Sequence, residues 1–192
     1  PAIKEGLQNG LAVLPKFNEE VREFMKTGKV LCLTESPVNP IMWAHYGANN
    51  TGVALGFRSV PALDSPYGMA MPMNYVASPP ELINNAYITQ LAAGGIPITP
   101  NELFDHLVLT KAASWSYERE WRVHSGDGRD RNAPYEDIPF GLNELEAVIF
   151  GLNTSKTDRE TLSELAAKYP NAALYKVQIG NKAFEYDLVP LS

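Results

Sequence analysis

The chain is short of the residues that make thiol and metal chemistry. Its 192 residues include one cysteine, Cys32, and three histidines. A single cysteine can form no internal disulfide and cannot supply a four-thiolate zinc site. The apolar stretch around it, "KVLCLTES", predicts a strand with a buried, inert thiol. His45, His106 and His124 lie far apart, and no His-Glu-x-x-His pattern joins them, so no metal is expected. No apolar run approaches the roughly 20 residues of a membrane helix, and no signal peptide is recognisable. The patterns of the nucleophile elbow, the phosphate loop and the dinucleotide fold are all missing. An acidic residue followed two positions on by lysine, as in metal-dependent nucleases, is not found in the acidic cluster at 118–122 either. Positive charge is also scarce: 16 Lys and Arg against 22 Asp and Glu give a net charge of -6. That argues against a general electrostatic grip on nucleic acid, though not against a local groove. A reducing, cytoplasmic setting is the simplest expectation.

What is present suits one globular domain over 1–192. The expected fold is α+β, a twisted, mostly antiparallel sheet flanked by helices, with a possible insertion at about 59–100, where Pro and Gly concentrate. "LPKFNEEVREFMKTG" reads as a helix over 14–28, with Phe17, Val21, Phe24 and Met25 as its stripe and Pro15 near its start. Val30–Thr34 reads as a strand, 41–46 as a helical turn, and "TGVALGFRSV" as a strand with Val53, Leu55 and Phe57 toward the core. "GMAMPMNYV" reads as an edge or bulged strand because of Pro72. Helices are predicted at about 80–93 and 101–112, the second capped by Thr99 or Asn101. "LEAVIFGLN" is apolar enough to be buried on both faces. "TSKTDRETLSELAAKYP" reads as a helix with Thr157 and Glu160 at capping-box spacing and a stripe of Leu162, Leu165 and Tyr169. Two closing strands flank a hairpin at Gly180-Asn181-Lys182.

Two clusters could carry chemistry. In "WSYEREWRV", residues 115–123, strand alternation places Trp115, Tyr117, Arg119, Trp121 and Val123 on one face and Glu118, Glu120 and Arg122 on the other. Two carboxylates roughly 6 to 7 Å apart on one strand face repel, so one pKa rises unless a cation such as Arg122 intervenes. The pair fits stabilisation of a cationic transition state and base chemistry; equally, it fits a solvated face on an antiparallel strand. In "MWAHYGANNTG", residues 42–52, Trp43, His45 and Tyr46 offer stacking surfaces with polar tips, and Asn49, Asn50 and Gly52 form a turn. That segment could bind a planar ring and an anion, or simply anchor a core beside a turn. One shared pocket bordered by Tyr46 and Glu120 would explain both clusters economically.

Three blocks carry a family resemblance: "VLCLTESPVNPIMWAHYGANNTGVALGF", "KAASWSYEREWRV", and "AVIFGLNTSKTDRETLSELAAKYPNAALYKVQIGNKAFEYDL". They resemble the bacterial domain-of-unknown-function 2971 family over about 30–188. Members usually begin well upstream of "CLTES", with a short aromatic segment and an Asn-Asp-Pro-Phe-Glu-like turn. Residues 1–29 are too short for these, which implies a truncated or shortened member. The family's layout is similar to that of ADP-ribosyltransferases. By that analogy Glu120 and Glu118 would be catalytic, Glu120 on the ribose of NAD and Glu118 toward an acceptor. Trp43, His45, Tyr46, Trp115 and Arg122 would bind the cofactor, NAD being a substrate and no metal being needed. The implied protein is an NAD-using enzyme, a bacterial toxin or defence effector, with a nucleotide and a macromolecular acceptor as partners and no membrane. The alternative is a non-catalytic module that binds a nucleotide or a protein.

Overall fold

In the computed structural model, which describes residues 2–93, 98–181 and 184–191, helices and strands combine in an α+β fold. The elements in chain order are α1 (Ala2–Thr27), β1 (Val30–Thr34), α2 (Pro40–His45), β2 (Val53–Phe57), β3 (Met71–Pro72), β4 (Asn74–Val76), α3 (Asn85–Ala92), α4 (Pro100–Val108), β5 (Thr110–Ala112), β6 (Glu120–His124), β7 (Leu145–Phe150), α5 (Lys156–Ala166), β8 (Ala173–Ile179) and β9 (Tyr186–Pro190). The chain divides into two compact units. The first draws on 1–31, 71–116 and 124–136, the second on 32–70, 117–123 and 137–192.

The second unit is organised by β7. Its sheet has the order β2-β7-β8-β9. β2 and β7 run antiparallel, β7 and β8 parallel, β8 and β9 antiparallel. Side chains alternate across a strand, and here both faces are covered, as the apolar run predicts. Leu145, Val148 and Phe150 cluster with Ala166 of α5. Ile149, from the opposite face, clusters with Trp43 of α2 and Val177 of β8. α2 starts where Asn39 caps Ile41 and Pro40 takes the first turn, a position that needs no N–H.

Several expectations need correction in this unit. Leu55 is exposed, although Val53 and Phe57 pack inward. In α5 the cap is Ser155, whose hydroxyl accepts from the Asp158 amide at 3.0 Å. Thr157 therefore lies within the helix. Leu162, Ala166 and Tyr169 face the core, at spacings of four and three. Leu165 falls on the flank of that stripe and is 46% exposed. The β8–β9 ladder closes at Ile179 and Tyr186; Lys182 of the expected hairpin turn lies outside the described residues.

In the first unit α1 is longer than its apolar stripe, reaching back to Ala2 and continuing through Pro15. Pro15 is thus inside the helix, where it forfeits one backbone hydrogen bond. The extension contains Gly6 and Gly10, poor helix formers by themselves. Four residues apart, they share a face, and that face meets α3. A Cβ on Gly6 would sit 2.7 Å from the Ala92 carbonyl oxygen, and one on Gly10 would overlap the Leu91 side chain. Close approach to α3, invisible in local propensity, holds this part of the helix. Gly6→Val should therefore cost about 1 to 3 kcal/mol through overpacking, despite valine's better helix propensity; urea unfolding of the variant measures it. α4 is closed by a full capping box between Thr99 and Glu102. The stretch "GMAMPMNYV" is divided into β3 and β4 at Met73, which packs with Val108 and Leu109.

His124, also in the first unit, lies between Phe24 and Phe104, with ring centroids at 5.3 and 5.2 Å. Its Nδ1 accepts from the Gly126 amide at 3.3 Å, and its buried Nε2 has no hydrogen-bond partner among the described residues. Burial lowers its pKa below the ordinary 6.5, only partly opposed by Asp127. The unfolded chain then takes up the proton at a higher pH than the folded one. The stabilisation is complete above about pH 6.5 and is lost as pH falls through the lower folded value. His124→Phe should flatten the fall in melting temperature between pH 7 and 5. An unchanged slope would mean that another group governs it.

Candidate functional site

The nine residues "WSYEREWRV" do not form one strand. Ala113–Glu118 is a 3₁₀ helix, Arg119 adopts a left-handed φ of 47°, and β6 begins only at Glu120. The expected faces are overturned as a result. Glu118 is 2% exposed and Glu120 is 6% exposed, whereas Trp115 is 37% exposed. The reversal at Arg119 turns both flanking carboxylates inward and sends the arginine out. A left-handed L-residue costs roughly 1–2 kcal/mol, so the surroundings must hold it. They do so through the second unit's own segments. Thr34 Oγ1 donates to the Glu118 carbonyl at 2.7 Å, and Asn39 Nδ2 donates to the Tyr117 carbonyl at 2.9 Å.

The two sequence clusters do meet, through Glu118. The Tyr46 hydroxyl donates to Glu118 Oε1 at 2.8 Å. Tyr46 is otherwise exposed and lies beside His45, ring to ring at 6.1 Å. Trp43 is a core residue. It is 4% exposed, packs with Ile149 and Val177, and gives its indole N–H to the Pro37 carbonyl. Its ring also borders a small recess of about 120 Å³ shared with Tyr46, Thr34 and Ser36. Trp115 belongs to the first unit, with Lys111 Nζ 5.1 Å from its ring centre.

Glu120 pairs with Arg122, as expected for a cation between the carboxylates; Arg122 Nε lies 2.7 Å from Glu120 Oε1. Burial opposes the charge on Arg122, but the hydrogen bond and charge of Glu120 prevail and raise its pKa. Cys32, read from the sequence as buried, is exposed. Its sulfur is nonetheless crowded: desolvation, then the hydrogen bond and charge of Glu120, raise the thiol pKa, with Arg122 acting against them. A thiol held protonated is a poor nucleophile; the reading of a buried position is corrected by its exposure.

Cys32 opens onto a cleft of about 520 Å³ that lies wholly within the second unit. Phe57, Tyr67 and Trp121 supply aromatic walls; Thr34, Ser36 and Ser59 supply hydroxyls. Phe57 and Tyr67 stack at 4.7 Å. Glu35, also in the lining, bridges two residues of the turn: Oε1 accepts from Trp121 Nε1 at 2.8 Å, and Oε2 lies 3.3 Å from Arg119 Nε. Sequence reasoning missed Glu35, Tyr67 and Ser59. For Glu35 the only signal was the polar tail of "CLTES" after an apolar strand; Ser59 and Tyr67 lie outside that stretch. Among the described residues no group of three or more His, Cys, Asp or Glu could hold a metal. No described helix is long and apolar enough to cross a membrane.

No curated protein and no solved structure matches the chain. A family model does match it, over a stretch that contains most of α2, Tyr46 and the Glu118–Arg122 turn. Residues 42–123 match the family described as "Protein of unknown function (DUF2971)", the family that the sequence resembles.

Proposed function

We propose that the second unit is a binding module for a nucleotide such as NAD, held in the 520 Å³ cleft with a planar ring against Trp121. The cleft itself carries this reading. Its volume falls in the range of small-molecule sites, and it combines aromatic walls with a few hydroxyls. Glu118 and Glu120 lie behind the wall, engaged by Tyr46 and Arg122. In that position they fix the turn that presents Trp121, rather than meeting the ligand. Calorimetric titration with NAD and AMP tests the proposal. Trp121→Ala should weaken binding about tenfold or more, since stacking on an aromatic ring is worth roughly 1 to 3 kcal/mol per base. No binding of either ligand would end it.

One observation favours a second reading, ADP-ribosyl transfer to a macromolecular acceptor by a toxin or defence effector. The Cys32 thiol, which opens onto the cleft, donates to the Glu120 carboxylate. Released from Arg122, the carboxylate could stabilise an oxocarbenium-like ribose while nicotinamide leaves with the bonding electrons. Chromatography of NAD incubated with the protein separates the two. The binding-module reading expects intact NAD. Release of nicotinamide that disappears in Glu120→Gln would establish the enzyme instead.

A further inference from the structure

Among the described residues that line the cleft, Glu35 is the one acidic side chain and there is no lysine or arginine. A phosphorylated ligand therefore needs a cation from just outside the lining, and the turn supplies one. Arg119 is 63% exposed, and its ion pair with Glu35 is made through Nε. A guanidinium has a second donor edge, at its terminal amines, which suits the bidentate recognition of phosphate. The pair with Glu35 need not break for that edge to be used. An exposed arginine normally loses side-chain freedom when it binds an anion. Here the side chain is already tied to Glu35 at 3.3 Å, on a turn whose φ is 47°. Arg119 and Trp121 are held by the same Glu35 carboxylate, so the cation and the ring wall sit at one place.

We propose that Arg119 is the phosphate contact at the mouth of the cleft, so that the module selects nucleotides over nucleosides. The proposal rests on the nucleotide-binding reading. Its test compares AMP with adenosine by calorimetry, on the whole chain at low and high salt. A charge-assisted hydrogen bond predicts about tenfold tighter binding of AMP at low salt. The gap should shrink as salt rises. In Arg119→Ala, AMP should bind no tighter than adenosine, and Arg119→Lys should restore only part of the gap; melting temperatures check that each variant is folded. An AMP preference that survives in folded Arg119→Ala overturns the assignment while sparing the cleft. Equal affinities in the unaltered protein overturn it in the same way. Failure of AMP and adenosine to bind overturns the Arg119 role, and failure of NAD as well rejects the cleft reading with it.

Discussion

Arg122→Ala should destabilise the second unit by about 3 to 5 kcal/mol, because it leaves the buried Glu120 carboxylate without its guanidinium. Glu120 is 6% exposed and the arginine side chain is 21% exposed, so water cannot take over the lost role. Replacing both partners tells a different story. Glu120→Leu with Arg122→Met exchanges a buried charge pair for apolar groups of similar size. Such exchanges are often neutral or stabilising, so the double variant should recover most of the loss. Urea unfolding of the three proteins at pH 7 measures both effects. A cost below about 1 kcal/mol in Arg122→Ala would place the pair among solvated surface pairs.

Phe150→Ala should cost about 3 to 5 kcal/mol. Phe150 has no exposed surface and sits among Leu145, Val148 and Ala166, where α5 covers β7. Leu165→Ala, in the same helix, should stay within about 1 kcal/mol, because an exposed side chain opens no cavity. Thermal melts of the two variants decide the matter. Equal losses would mean that the helix is packed through a different face.

Where hydrophobic patterning is decisive, the fold was legible. β1 occupies Val30–Thr34 as read, and β7 is buried on both faces. The remaining errors have identifiable causes. Ser155 and Thr157 each have an acidic residue three positions on, so spacing alone could not choose between the two caps. Leu165 fits a helical period as well as Ala166 does, and only the direction of the sheet distinguishes them. Gly6 and Gly10 look like helix breakers until α3 packs on them. The candidate site was half legible. The two clusters do converge, but the strand reading of "WSYEREWRV" failed at Arg119. Nothing in an arginine announces a left-handed backbone. That conformation is imposed from outside, by Tyr46, Thr34 and Asn39. Glu35 became visible as a bridge only once Arg119 and Trp121 were both beside it.

The pairing of β2 with β7 has a consequence for biosynthesis. Val53 finds its partner at Phe150, 97 residues later in the chain. At translation rates of about 5 to 20 residues per second, β2 leaves the ribosome roughly 5 to 20 seconds before β7 exists. During that interval its apolar side chains and unpaired backbone groups are open to neighbouring polypeptides, a known route to aggregation. Yield of native protein should then be set by how well the nascent chain is shielded. Growth at lower temperature or extra chaperone should raise it more than any change in the cleft.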